Sequence, residues 1–286
     1  MAEISAKDVK ALRDKTGAGM MDCKRALTDA EGHVEKAVDL LRERGLAKAG
    51  KRAGRQTSEG AIGVSLKARQ AGIVELGCET DFVAKTDDFQ TLARTLASLA
   101  AEQSSVDSID KVLAAKLGGE TVGDRIAATI SKVGENIALK RVARIDVGSG
   151  VTGGYVHAGG KLGVIVGLEG DAEGEAAQRL AKDLAMHVAA HDPTPLSIAR
   201  DGVSAELVEK ERKLLRREAE QSGKPANVIE KIINGRLNKF YGENCLLEQA
   251  YVKDPDRTVA DLVASIDGKA RVSGFTRFKL GEESDS

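Results

Sequence analysis

Two histidines four residues apart on a helix can bring two ring nitrogens to one metal ion. His187 and His191 have that spacing, with Asp192 beside them. A zincin needs Glu directly after the first His as general base, and here that residue is Val188. No third ligand follows at useful spacing, so a helix histidine with a structural role is the favoured reading over a metal ligand. His33 and His157 have no Ser, Cys or carboxylate pattern that would build a nucleophilic triad. Gly148-Ser-Gly150-Val-Thr-Gly153 matches G-x-G-x-x-G as text. In a dinucleotide site that motif opens a helix whose amides meet the pyrophosphate, whereas here a strand-like segment follows. There is no P-loop pattern. Cys23, Cys78 and Cys245 fit neither a disulfide framework nor a zinc pair, and Cys78 alternates with apolar neighbours as a small core residue would. The expectation is no enzyme active site, no metal, no cofactor and no small-molecule substrate.

A different signal lies in residues 79–89, ETDFVAKTDDF. Two of the five Phe in the chain sit there among four acidic side chains, and the chain has no Trp. Phe89, Leu92, Ala93, Leu96, Leu99 and Ala100 recur at helical spacing behind a Thr86 cap, so Phe89 is the first core contact of a helix. Phe82 is off that stripe. It shares parity with Val74, Leu76, Cys78 and Thr80, so it fits the inward end of an overlong strand. It fits equally an exposed aromatic at a strand-to-helix corner, the kind of residue that anchors a partner.

The elements that must hold these residues form an α+β chain. The 286 residues suffice for one large domain or two to three small ones, and the apolar 42% can build a core. A net charge of −1 argues against a protein that coats nucleic acid. The charged N-terminus lacks an apolar signal core, and no apolar run reaches a bilayer-spanning length, so a soluble, cytoplasmic protein without membrane contact is expected. Residues 1–45 read as an N-terminal three-helix module: a capping-box-like start at Ser5 and Asp8, a helix from about Met20 to Ala30, and a third stripe of Val34, Ala37, Val38 and Leu41 ended by Gly45. Residues 46–60 read as a basic linker whose Lys48, Lys51, Arg52 and Arg55 suit phosphate contact or plain solvation. A strand–turn–strand–helix plan then occurs twice, with helices at 86–102 and 175–190 and basic closing strands at 136–147 and 270–280. It predicts a duplicated antiparallel-sheet/helix core, units 61–147 and 148–200 with 250–281, each with helices on one face. Residues 201–249 read as a helical hairpin insertion with stripes of Leu207, Val208, Leu214, Leu215 and of Ile229, Ile232, Ile233, Leu237, Phe240. Gly223-Lys224-Pro225 breaks the hairpin, with Pro225 in the first turn of the second helix. Residues 282–286 are an acidic tail expected to be disordered.

Thr80-Asp81-Phe82-Val83-Ala84-Lys85 resembles the signature of the elongation factor Ts family, the guanine nucleotide exchange factors of elongation factor Tu. Leu12-Arg13-Asp14-Lys15-Thr16-Gly17-Ala18-Gly19-Met20-Met21-Asp22-Cys23-Lys24 resembles that family's opening motif. Gly134-Glu135-Asn136-Ile137, Ala185-Met186-His187-Val188-Ala189-Ala190 and Gln221-Ser222-Gly223-Lys224-Pro225 follow in family order, and Ala250-Tyr251 departs from a usual Pro-Phe. The resemblance implies docking of the helical module on a GTPase, elongation factor Tu, through Lys10, Arg13, Met20, Met21 and Lys24, with Gly134 also at the interface. Two adjacent Met cannot both face a small core, so at least one is exposed. It further implies that Thr80, Asp81, Phe82 and Val83 dislocate the Mg-binding elements of the partner, with Phe82 inserted between helices and Asp81 competing for local hydrogen bonds. No covalent chemistry and no direct nucleic-acid contact are expected. The alternative reading is an RNA- or ribosome-associated adaptor acting through the basic linker.

A chain beginning near Gly60 should keep its fold and bind the GTPase more weakly. Equal affinity of the shortened and full chains, measured by titration, would rule out the docking role of the module.

Overall fold

The computed structural model describes residues 4–105, 108–221, 225–266 and 270–282. Ser5 opens helix α1 (Ala6–Thr16) with a full capping box, its side chain and that of Asp8 each taking a backbone N–H. Helices α2 (Met20–Asp29) and α3 (Val34–Arg52) complete a bundle around Leu12, Cys23, Ala26, Leu27 and Ala37. The first core unit follows as β1 (Glu59–Leu66), β2 (Gln70–Cys78), α4 (Asp81–Ala84), α5 (Asp87–Glu102), α6 (Ile109–Ala114), β3 (Lys116–Leu117), β4 (Glu120–Thr121), α7 (Val122–Val133) and β5 (Ile137–Asp146). The second has β6 (Val151–Val156), β7 (Leu162–Glu169) and α8 (Gly174–Ala190). The hairpin α9 (Ala205–Glu220) and α10 (Ala226–Asn244) interrupts it, and β8 (Ala250–Tyr251), β9 (Asp254–Thr258), α11 (Val259–Ala264) and β10 (Arg271–Lys279) close it.

Each unit is a three-stranded antiparallel sheet, ordered β1-β2-β5 and β6-β7-β10. Helix α5 covers one face of the first with Phe89, Leu92 and Leu96, and α8 covers one face of the second with Leu180, Leu184 and Val188. The sequence left the other faces without a partner. They cover each other: Ile62, Ala71 and Ile73 of one sheet meet Ile165 and Phe278 of the other. Within this layer Arg141 Nε donates to Glu75 at 2.6 Å, and the guanidinium lies 4.4 Å from the Phe278 ring centroid. Helix and strand press so closely at Gly153 that an added Cβ would collide with Ala181 of α8, as one at Gly63 would with Ala93 of α5. The apparent dinucleotide motif is therefore part of a helix-on-strand contact, with β6 beginning inside it.

The duplication extends further than the sequence reading took it. Thr121-Val122-Gly123-Asp124 and Thr258-Val259-Ala260-Asp261 each close a two-stranded ribbon and open a helix through a capping box, burying Val122 and Val259. Other boundaries differ too. Helix α3 does not stop at Gly45, which is buried against Ala127 and Ser131 of α7; it continues to Arg52 through the first part of the expected linker. Arg42 also pairs with Asp124 of α7, so the module is seated on the core and its removal bares part of α7. The stripe of α9 runs through Leu215 and Ala219, while Leu214 is exposed. Pro225 is the N-cap of α10 and not a first-turn residue; Gly223 and Lys224 of the break lie outside the described residues, as does the tail from residue 283. At the base of the hairpin Arg200 donates to Glu248 at 2.6 and 2.7 Å and to Asn238 at 3.0 Å, tying α10 to the core.

Phe89 is fully buried between α5 and the first sheet. Phe89→Ala should cost about 3–5 kcal/mol, read as a drop in the midpoint of denaturant unfolding.

Candidate functional site

Across residues 79–89 the structure excludes Phe82 as the inward end of a strand. Strand β2 ends at Cys78, and Thr80 turns the chain and caps α4, its Oγ1 accepting from Val83 N at 3.4 Å. A single helical turn replaces the period of two. Val83 and Ala84 point inward at 9% and 5% exposure, and Phe82 points out at 81%. A four-residue helix has too few internal hydrogen bonds to hold itself. Its support comes from outside. Thr80 N and Oγ1 donate to the two carboxylate oxygens of Glu135 at 2.9 and 2.6 Å. Asn136 N donates to Glu79 Oε1 at 2.6 Å, so the two loops brace each other with reciprocal carboxylates. Thr86 Oγ1 donates to Val83 O at 2.8 Å and Gln90 Nε2 to Ala84 O at 2.7 Å. On the surface Lys85 donates to Asp81 at 2.6 Å and holds its carboxyl below the usual range.

Gly134 is brought to this turn. It is the left-handed C-cap of α7, with φ of 84°, and it directs the chain into Glu135. Glu79 and Glu135 were not singled out from the sequence as site residues. They are 56 positions apart in a chain rich in surface Glu, and only the pairing of Cys78 with Ile137 across β2 and β5 brings them together. The module residues form a separate group. Met20 and Met21 are both exposed, at 45% and 63%. Lys10, Arg13 and Lys24 are exposed and have no ion-pair partner among the described residues, whereas neighbouring Lys15 and Arg25 pair with Glu35 and Asp22. In the basic segment Lys48 pairs with Asp22 at 3.0 Å and Arg55 with Glu79 at 3.4 Å, so these two cations already have carboxylate partners.

His187 is fully buried, with Nε2 2.9 Å from Gln249 Oε1 and Nδ1 accepting from Val252 N at 3.3 Å. Both ring nitrogens are occupied, and burial lowers its pKa and keeps the ring neutral. The favoured reading of a structural helix histidine fits this geometry. His191 bonds Pro193 O instead of sharing a ligand with it.

Comparison with known proteins was decided over nearly the whole length. The family model for Elongation factor TS matches residues 79–282. The chain is 48% identical over 291 residues to "Elongation factor Ts" of Chlorobium phaeobacteroides, covering 98% of this chain and 100% of that protein. It is 46% identical to the same-named protein of Magnetococcus marinus over 98% of this chain and 93% of the relative, and 48% identical to that of Pediococcus pentosaceus over 99% and 94%. The chain belongs to the elongation factor Ts family. Membership places it among the translation elongation factors. The matched region starts at Glu79, the first residue of the braced turn. Among the described residues no helix of this elongation factor Ts family member is long and apolar enough to cross a membrane.

Cys78 lies directly under the turn, donating to Thr80 O at 3.1 Å, and burial together with the Glu135 carboxylate pushes its thiol up to about 12 from 9.0. The raised value means the folded state holds this proton more tightly than the unfolded chain. The contribution is intact below pH 9 and should be lost as pH rises toward about 12. Denaturant unfolding across that window should show the loss for the natural chain and a smaller one for Cys78→Ala. Labelling of Cys78 by a thiol reagent at pH 8 should require unfolding.

Proposed function

We propose that this chain binds elongation factor Tu and promotes release of its GDP, so that GTP can replace it. The observation that carries the reading is Phe82, a large apolar side chain 81% exposed on a turn braced from below. An exposed Phe is costly to keep in water unless it serves a surface elsewhere, and a rigid turn delivers it with little loss of conformational entropy. The names of the relatives and the matched family support the partner assignment.

The module docks first in this scheme. Met20 and Met21 supply adaptable apolar contact, and the exposed Lys10, Arg13 and Lys24 supply positive charge around it. Docking sets Phe82 against helices beside the nucleotide site of the GTPase, with Gly134 at the same surface. Tight GDP binding depends on backbone amides around the phosphates and on Mg²⁺. Phe82, inserted between those helices, shifts them away from the Mg²⁺-holding arrangement. Asp81 competes for hydrogen bonds there, while Thr80 and Val83 set the turn. No covalent bond forms. By linkage, the factor by which the chain weakens nucleotide binding is the factor by which nucleotide weakens binding of the chain. Exchange is therefore accelerated in both directions, and the GTP supply sets the outcome.

The test uses elongation factor Tu preloaded with a fluorescent GDP analogue and chased with unlabelled GDP. The natural chain should give fast release and should bind no nucleotide alone. Phe82→Ala should slow release by roughly tenfold or more while changing stability by under about 1 kcal/mol. Asp81→Ala should act in the same direction. A Phe82→Ala chain as unstable as Phe89→Ala, with normal release per folded molecule, would overturn the proposal.

A further inference from the structure

We infer that Glu135 is a positioning residue for Phe82: its carboxylate, from the far end of α7, fixes the direction in which Phe82 leaves the surface. The inference rests on the reading that Phe82 acts on the partner. The geometry behind it is specific. Phe82 makes little burial contact of its own, so its direction follows from the backbone of residues 79–85. Most hydrogen bonds that hold this backbone are local in sequence. Thr80 caps Val83, Thr86 bonds Val83 O, Gln90 bonds Ala84 O and Lys85 pairs with Asp81. These bonds keep the turn helical, and the burial of Val83 and Ala84 against the core seats its inner face. Glu135 differs, because it is 55 residues away in sequence and bonds both the N–H and the hydroxyl of Thr80. Two bonds from one planar carboxylate to one residue restrict rotation as well as distance. Glu79 returns a bond to Asn136 N, so the second loop is held by the first.

Glu135 does this work through Thr80. It is half-buried behind the left-handed Gly134, and Thr80 is half-buried as well. The carboxylate suits this position, because it accepts two bonds where an amide would set a donor against one of the Thr80 donors. A misdirected Phe82 would still be exposed and the module would still dock. The defect should therefore fall on the rate of release from the assembled complex and leave its formation unaffected.

The experiment measures GDP-analogue release from elongation factor Tu over a range of concentrations of the full chain. Glu135→Ala should lower the limiting rate by roughly tenfold, as expected for loss of a charge-assisted pair, with the half-saturating concentration changed less than about twofold. Glu135→Gln keeps the shape but sets an amide N–H against one of the Thr80 donors, and should slow release in the same direction by less. In a Phe82→Ala background Glu135→Ala should slow release no further, because the two act as a unit. An unchanged limiting rate for both Glu135→Ala and Glu135→Gln, or slowing that adds to that of Phe82→Ala, would overturn the inference. If Glu135→Ala fails to fold, Glu135→Gln carries the same comparison. Normal release by Phe82→Ala itself would instead bring down the proposed function, and the two failures are distinguishable.

Discussion

The structure depends on one contact, the burial of two small sheets against each other. A three-stranded sheet with one helix across it has a second face that water would otherwise wet. Among the described residues neither unit places a second helix on that face. Ile62, Ala71 and Ile73 meet Ile165 and Phe278 there, and the outer helices α5 and α8 close the two sides. The result is a helix–sheet–sheet–helix stack, with a continuous apolar interior in place of two marginal halves. The strand ends, and hence the loops that carry exposed residues, are fixed by that stack.

The stack is nearly symmetric, and Glu75 breaks the symmetry. Gly63 opposes Val74 in the first sheet and Gly153 opposes Val166 in the second, so Glu75 corresponds to Gly167. A lone carboxylate buried between sheets would be strongly destabilising. Arg141 neutralises it, Gly281 N donates to it at 3.3 Å, and the guanidinium rests on Phe278 from the other sheet. This set of contacts joins three strands and the chain after β10, and it is available only in one register of the two sheets.

On this platform, similar side chains serve opposite ends. Phe89 and Phe82 are seven residues apart, one fully buried under the sheet and the other standing in water. Their difference comes from Thr80, which ends the strand and starts a turn, and from Thr86, which starts the next helix. The methionines of α2 show the same division. Cys23, Ala26 and Leu27 fill the small bundle, so Met20 and Met21 have no room inside it. Burial stabilises the scaffold, and the proposed function uses three of the apolar groups left outside, Met20, Met21 and Phe82.

Local rules were enough for much of this protein. Capping chemistry and periodicity marked α1, α2, α5 and α8, because a helix that buries one face must repeat its apolar residues near every 3.6 positions. The pattern of alternating residues and glycine turns marked both strand pairs, and the long motifs around Thr80–Lys85 marked the family. The sequence left Phe82 between two readings, because strand parity and a helical turn both fit the residues around it, and the Thr80 cap that decides for the turn is itself held by Glu135. It left α3 too short, because the α7 surface that receives Gly45 is some eighty residues away. It left α7 and α11 unread although T-V-x-D stands at the head of both, since that signal is short and its worth appears only when the two copies take equivalent places in the fold. The partners of the open sheet faces and the bracing of Thr80 by Glu135 could be decided only by the tertiary structure. Both are contacts between residues distant in sequence, and no local propensity records which distant residue will arrive.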